Sequence, residues 1–123
     1  MTDKKILIID DESSDRKAMA IALEKDGYHA FLFAETDQDG IEKARSFKPD
    51  VILIDVVLRG VDGFDVCKTI RAIEVVQSKI VMITGHLDAI EVAKARTSGA
   101  DEIIEKIPGF TNIGKTIASV IKK

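Results

Sequence analysis

The stretch Ile-Leu-Ile-Ile-Asp-Asp at residues 6–11 is a run of four apolar residues that stops at two acids. The stretch Val-Ile-Leu-Ile-Asp at residues 51–55 repeats the pattern. A short, continuous apolar run rich in β-branched residues is typical of a strand buried on both faces, as in a parallel sheet. Both stretches therefore predict central strands whose carboxyl ends carry acidic side chains.

Three further strands and five helices complete an alternating pattern. Strands are predicted at residues 28–34, 80–84 and 103–104, and a helical apolar periodicity follows each strand. Strict alternation of strands and helices predicts an α/β protein with helices on both faces of a parallel sheet. Because crossovers are right-handed, five such units favour a doubly wound five-stranded parallel sheet of order 2-1-3-4-5.

The sequence also predicts where several helices begin. Ser13 or Ser14 is expected to cap the first helix and Thr36 the second, because a hydroxyl can accept a hydrogen bond from a first-turn N–H. The fourth helix is expected to begin at about Asp88. The predicted apolar side of that helix carries Ala89, Val92 and Ala93.

The length and composition favour a single domain. With 46% hydrophobic and 32% charged residues, residues 1–123 are expected to form one domain with no effector domain. The net charge of −3 argues against a broad basic surface for nucleic acid, and the apolar runs are too short for a membrane span. Cys67, the single cysteine, is expected in the core, and a cytoplasmic location is predicted.

Acidic side chains end two strands that neighbour each other in the predicted sheet. Strand order reverses between strands 1 and 3, and ligands bind at such a point beyond the carboxyl ends. Asp10 and Asp11 follow strand 1, and Asp55 ends strand 3. Three carboxylates in one crevice repel each other unless a cation lies among them. Oxygen ligands suit Mg²⁺, so we expect a magnesium site there.

Two further polar side chains lie at the carboxyl ends of predicted strands 4 and 5, a hydroxyl and a positively charged amine. Thr84 ends strand 4 and Lys106 follows strand 5. Together with the acids, these groups are the parts needed to accept and hold a phosphoryl group. An aspartate can act as the nucleophile and form an aspartyl phosphate. Asp55 is the expected acceptor because it is the acid at the tip of the central strand.

Together these residues resemble the receiver domains of two-component response regulators. The resemblance runs from Ile6 to Ile121 and implies a flavodoxin-like receiver fold. It implies a phosphoprotein switch of a two-component or phosphorelay system, which is not an enzyme beyond catalysing its own phosphorylation and dephosphorylation. The motifs that carry the resemblance are Asp10-Asp11, Asp55, Asp62-Gly63, Thr84-Gly85, Ser98-Gly99-Ala100-Asp101 and Lys106.

The resemblance also implies a role for each residue of the acidic crevice. A phosphohistidine on a sensor histidine kinase or phosphotransfer protein, or a small phosphodonor, would phosphorylate Asp55. Asp11 and Asp55 would bind Mg²⁺ directly, and Asp10 would bind it through water. The backbone carbonyl of Val57 would complete the protein ligands.

Activation and partner binding follow from the same resemblance. Thr84 would hydrogen-bond the phosphoryl group, and Lys106 would pair with its charge. The surface of helix 4, strand 5 and helix 5 would then change and bind a downstream protein. Helix 1, with Arg16 and Lys17 near the acidic site, would contact the kinase.

Three positions depart from the family pattern. Ile103 stands where the family commonly has tyrosine or phenylalanine. The order Lys106-Ile107-Pro108 separates the lysine from a proline that is usually cis and usually follows at once, so any cis bond is expected at Ile107-Pro108. Arg59-Gly60 occupies a loop that usually contains proline.

Two variable side chains are expected to flank the phosphoryl group. Val57 lies two residues after Asp55, and His86 lies two residues after Thr84. An imidazole can orient an attacking water, whereas a valine cannot. We therefore expect the lifetime of the phosphoryl group to depend on His86.

Other functions stay open on the sequence. A pseudo-receiver would keep the fold as an interaction module without phosphorylation. An aspartyl-phosphate phosphatase of the haloacid-dehalogenase type would place a second aspartate two residues after the first, where this chain has Glu12 after Asp10. A nucleotide binder would need phosphate-cradling glycines in the first loop, which is acidic here.

Overall fold

Five parallel strands form the central sheet of the computed structural model, which describes residues 2–122. The strands are β1 (Thr2–Ile9), β2 (Tyr28–Ala34), β3 (Val51–Asp55), β4 (Lys79–Thr84) and β5 (Glu102–Glu105). Their order across the sheet is β2-β1-β3-β4-β5. The predicted doubly wound order 2-1-3-4-5 is confirmed, although β1 begins four residues earlier than the apolar run at residue 6.

Five α-helices connect these strands in the described part of the chain. They are α1 (Ser13–Lys25), α2 (Asp37–Phe47), α3 (Gly63–Arg71), α4 (Ala89–Ser98) and α5 (Ile113–Ile121). A short 3₁₀ turn (Pro108–Phe110) precedes α5. The loop after β3 contains a small antiparallel pairing of Val57–Leu58 with Val61–Asp62, which the sequence did not predict.

The central strands are buried on both faces, as their continuous apolar runs predict. Successive side chains of a strand point to opposite faces, so each run contributes to two cores. One core packs against α2, α3 and α4, and the other packs against α1 and α5. The first contains Leu7, Ile9, Ile52, Ile54, Ile80 and Met82; the second contains Ile6, Ile8, Val51, Leu53, Val81 and Ile83.

The predicted cap of α1 is wrong, whereas that of α2 is confirmed. Ser13 is the first residue of α1, and Glu12 occupies the N-cap position without a side-chain hydrogen bond to the helix. The acidic turn determines this start, because the Glu12 N–H instead donates to Asp10 Oδ1 at 2.9 Å. The Thr36 side chain accepts a hydrogen bond from the Asp39 N–H at 3.1 Å.

The apolar side predicted for α4 is also wrong. Ala89, Val92 and Ala93 are exposed, whereas Ala95 and Ser98 are buried. Alanine is too small and too common in this helix to mark one face by hydropathy. The buried Ser98 hydroxyl donates to the Lys94 carbonyl at 2.7 Å, so its hydrogen-bonding capacity as a donor is satisfied within the helix.

Two further expectations concern the backbone and the membrane. All the described peptide bonds are trans, including that between Ile107 and Pro108. Within residues 2–122, no helix is long and apolar enough to cross a bilayer.

Candidate phosphoacceptor site

Three carboxylates meet at the carboxyl ends of β1 and β3. Ile9 pairs with Ile54 across these strands, so Asp10 and Asp55 come next on adjacent strands. One carboxylate oxygen from each of Asp10, Asp11 and Asp55 lies within 4.8 Å of the other two. Asp10 is fully buried and Asp55 is 6% exposed. The topology therefore concentrates negative charge at one largely buried point of the sheet edge.

Asp10 has an oxygen that hydrogen bonding leaves unsatisfied. Its Oδ1 accepts the Glu12 N–H, but its Oδ2 is buried and has no hydrogen-bond partner within residues 2–122. Burial raises the pKa of Asp10 to about 7; the Glu12 N–H lowers this pKa, and the charge of Asp55 raises it. A buried, unpaired oxygen beside two further carboxylates matches the oxygen ligands of a hard divalent cation.

Lys106 supplies a positive charge to this cluster. Its Nζ donates to Asp55 Oδ2 at 2.7 Å and to Asp15 Oδ2 at 2.8 Å, and it lies 3.9 Å from Asp10 Oδ2. Burial would lower the pKa of Lys106, but its hydrogen bonds to Asp15 and Asp55 outweigh that effect and raise it. Lys106 therefore remains cationic over the physiological pH range.

Thr84 ends β4 beside the cluster and is 2% exposed. Its hydroxyl donates to Glu91 Oε1, in the first turn of α4, and accepts the His86 N–H at 3.2 Å. The backbone around it is tied to β5, since the Lys106 N–H donates to the Thr84 carbonyl at 2.7 Å. Thr84 is thus in the predicted place, but its donor proton is engaged by a residue that the sequence did not indicate.

The loop after β3 fixes the direction of the Asp55 side chain. The Val57 N–H donates to Asp55 Oδ1 at 3.0 Å. Gly63 passes so close behind that a Cβ on it would lie 2.1 Å from the Asp55 carbonyl oxygen. Only a glycine permits this approach of the two backbones. With Lys106 on Oδ2, both carboxylate oxygens of Asp55 are held by hydrogen bonds.

A sequence model of the response regulator receiver domain matches residues 6–118. The chain belongs to this family. The match covers all five strands of the receiver domain from residue 6 of β1 onward, and it includes Asp10, Asp11, Asp55, Thr84 and Lys106.

Curated relatives and a solved structure agree with the family assignment of the receiver domain. The transcriptional regulatory protein AfsQ1 of Streptomyces coelicolor is 37% identical over 101 residues, covering 82% of this chain and 44% of AfsQ1. The DNA-binding response regulator MtrA of Mycobacterium tuberculosis is 34% identical over 103 residues, covering 84% of this chain and 44% of MtrA. The receiver domain therefore spans less than half the length of either regulator.

The solved structure is that of the Vibrio cholerae chemotaxis protein CheY4. It superposes on the receiver domain with a TM-score of 0.85 at 26% identity, and the match covers 95% of this chain and 98% of that chain. A match of nearly the whole of both chains shows that the five-stranded architecture is a complete CheY-like receiver fold.

Two of the remaining predicted residues, Val57 and His86, lie beside the acidic cluster, whereas Ile103 does not. The side chains of Val57 and His86 are exposed at the rim of a cleft that Asp11, Asp55 and Lys106 also line. His86 Nε2 lies 3.8 Å from Asp88 Oδ2. Ile103, in contrast, is 6% exposed and belongs to the core beneath α4, so it lies apart from the cleft.

The two basic residues of α1 differ in their environment. Arg16 Nη1 donates to the Asp10 carbonyl at 2.7 Å, and Arg16 is largely covered. Lys17 is exposed. Arg16 therefore stabilises the acidic turn through a hydrogen bond, whereas the charge of Lys17 is exposed to solvent.

Sequence reasoning missed Asp15 and Glu91. Asp15 lies in the first turn of α1, which begins just after the acidic turn that carries Asp10 and Asp11. Glu91 follows the helix cap Asp88 by three residues, and the Asp88 side chain accepts the Glu91 N–H at 2.8 Å. The spacing Asp-x-x-Glu resembles that of a capping box, which places a glutamate in the first turn of a helix. These two positions were the available signals.

Proposed function

We propose that this receiver domain accepts a phosphoryl group on Asp55 in a Mg²⁺-dependent reaction and signals by contact with another protein. The observation that supports this most strongly is the Lys106 ammonium at 2.7 Å from Asp55 Oδ2, beside the carboxylates of Asp10 and Asp11. One nucleophile, one cation and an acidic metal cluster are the groups that phosphoryl transfer to an aspartate needs. Residues 1–123 would act as a single receiver domain.

In the proposed reaction an oxygen of the Asp55 carboxylate attacks the phosphorus of a phosphohistidine or of a small phosphodonor. The O–P bond forms as the P–N bond to the histidine breaks, and the leaving imidazole takes a proton from water. The hydrogen bonds from Val57 N–H and Lys106 Nζ hold the two Asp55 oxygens in fixed directions. Such positioning supplies much of the rate in phosphoryl transfer.

Mg²⁺ would be held by the carboxylates of Asp11 and Asp55, by Asp10 through water, and by the backbone carbonyl of Val57. When bound, it would neutralise charge on the transferring phosphoryl oxygens. The buried Oδ2 of Asp10 supports this assignment, since it accepts no hydrogen bond within residues 2–122 and lies 3.9 Å from the Lys106 ammonium.

The phosphoryl group would act as a switch through Thr84 and Lys106. It adds roughly −1.5 to −2 charges and three acceptor oxygens. Contacts that Thr84 and Lys106 make with these oxygens in the modified state alone would bias the surface of α4, β5 and α5. A sensor histidine kinase or phosphotransfer protein would be the donor, and a downstream protein would bind the altered surface.

The proposal is tested by intact mass after incubation with phosphoramidate, with Mg²⁺ or with EDTA. Wild type should gain one phosphoryl group in Mg²⁺ alone, and Asp55→Asn should gain none. Asp65→Asn, at an exposed position in the first turn of α3, is the matched control and should behave as wild type. If wild type gains no mass in Mg²⁺, the proposal fails and the pseudo-receiver becomes the favoured alternative.

His86 is proposed to set the lifetime of the phosphoryl group. Its side chain is exposed at the rim of the cleft and free to approach a water that attacks phosphorus. We expect His86→Ala to lengthen the lifetime about tenfold, which is less than the roughly hundredfold or more of a general acid or base, because the imidazole would only orient the water. The measurement is the decay of phosphorylated protein by intact mass, and an unchanged rate would exclude this role.

A further inference from the structure

The side-chain contact between Thr84 and Glu91 joins the phosphoacceptor cleft to α4. The Thr84 hydroxyl donates to Glu91 Oε1. Glu91 lies in the first turn of α4, and its own N–H is held by the Asp88 side chain at 2.8 Å. Glu91 also lines the cleft together with Asp55 and Lys106. The contact therefore lies between the proposed phosphoacceptor and the first turn of a helix on the signalling surface.

A threonine hydroxyl has one proton to donate. While that proton is donated to Glu91, Thr84 cannot donate it to a phosphoryl oxygen. The hydroxyl also accepts the His86 N–H at 3.2 Å, and the His86 carbonyl, at 3.3 Å, is a more distant acceptor for the same proton. A carboxylate on α4 and a phosphoryl group on Asp55 thus compete for the same donor.

The charge of Glu91 also disfavours the phosphorylated state, as the competition for the Thr84 proton does. A phosphoryl group on Asp55 would bring about two further negative charges into a cleft that Glu91 lines. Like charges at short range in a partly buried site repel strongly.

We propose that Glu91 is a positioning residue that holds Thr84 in the unphosphorylated arrangement and so acts as a latch against the phosphorylated state. This inference rests on the proposed phosphorylation of Asp55. Phosphorylation breaks the Thr84–Glu91 hydrogen bond, Thr84 donates to the phosphoryl group, and the first turn of α4 loses its tie to β4. The switch is thereby transmitted through a carboxylate on α4, in a chain whose residue 103 is isoleucine rather than an aromatic residue.

The test is the affinity for beryllofluoride, a reversible phosphoryl analogue, measured by titration calorimetry at saturating Mg²⁺. We expect Glu91→Ala to bind about tenfold more tightly than wild type, since a hydrogen bond to a charged group no longer competes. Glu91→Gln keeps an acceptor without the charge, so its affinity should lie between the two. Glu74→Ala is the control. Glu74 is exposed between α3 and the amino end of β4, so its loss should leave the affinity for beryllofluoride unchanged.

A second pair of variants separates the hydrogen bond from simple charge removal. In a Thr84→Val background the latch has no donor to hold, so Glu91→Ala should gain much less affinity than it gains in wild type. An equal gain in both backgrounds would overturn the role of Thr84 and leave charge repulsion alone. An unchanged or weaker affinity in both Glu91 variants would refute the latch while the phosphoacceptor assignment stands. A wild type that neither binds beryllofluoride nor gains a phosphoryl group would refute both.

Discussion

The acidic cluster should destabilise the metal-free protein, and Asp10→Asn tests this directly. Asp10 is fully buried, and its Oδ2 lacks a hydrogen-bond partner in the described residues. An asparagine has nearly the same shape and keeps an oxygen for the Glu12 N–H, and its amide can donate toward the neighbouring carboxylates. In the absence of a cation, the variant should be more stable than wild type.

The magnitude follows from the pKa of Asp10. Burial raises this pKa from 3.8 to about 7. At about 1.4 kcal/mol for each pH unit, the ionised form costs roughly 4 kcal/mol of folding free energy above pH 7. Because the folded state holds the proton more tightly than the unfolded state, this cost is absent below about pH 4 and grows as the pH rises to about 7.

The assay is urea unfolding in EDTA at several pH values between about 4 and 8. Asp10→Asn should gain up to about 4 kcal/mol over wild type at the alkaline end and almost nothing at the acidic end. Saturating Mg²⁺ should stabilise wild type more than the variant, since a ligand stabilises the state that binds it. A variant that is less stable than wild type in EDTA at about pH 8 would refute the reasoning, because the buried carboxylate would then be stabilising. Asp65→Asn, at an exposed position in the first turn of α3, is the control, and its stability should stay close to that of wild type.

Three further predictions test packing, one beside the acidic cluster and two elsewhere in the fold. Gly63→Ala would place a Cβ 2.1 Å from the Asp55 carbonyl oxygen, so we expect a loss of about 2 kcal/mol in urea unfolding; equal stability would show that the loop moves freely. Arg71→Ala removes hydrogen bonds to the carbonyls of residues 78 and 99 and to a carboxylate at 101, and it should cost about 3 kcal/mol, against less than about 0.5 for the exposed Arg45→Ala. Burial raises the pKa of Cys67 to about 11, so its thiol should react with a disulfide reagent in urea and not in the folded protein; labelling of folded protein would place it at the surface.

The fold and the centre of the site followed from local sequence patterns. Two continuous apolar runs could be buried only on both faces of a parallel sheet, and the alternation of strands and helices left one natural strand order. That order brings the acids after residues 9 and 54 together regardless of how individual side chains pack. Asp10, Asp11, Asp55, Thr84 and Lys106 all lie at strand ends, where position along the sheet is given by the strand itself.

The partners of those residues were decided by tertiary packing. Lys106 bonds to Asp15, which is 91 residues away in the sequence. The two meet because α1 begins, and β5 ends, at the same side of the fold, where the carboxyl ends of the strands lie. Thr84 bonds to Glu91, and α4 buries Ala95 and Ser98 rather than its other small residues, because the helix is oriented by its contacts and not by a strong apolar stripe. Periodicity reports burial one element at a time, whereas a hydrogen bond between elements depends on their relative placement. The sequence alone therefore determined which edge of the sheet carries the chemistry, and the three-dimensional packing determined which side chains hold Thr84 and Lys106 there.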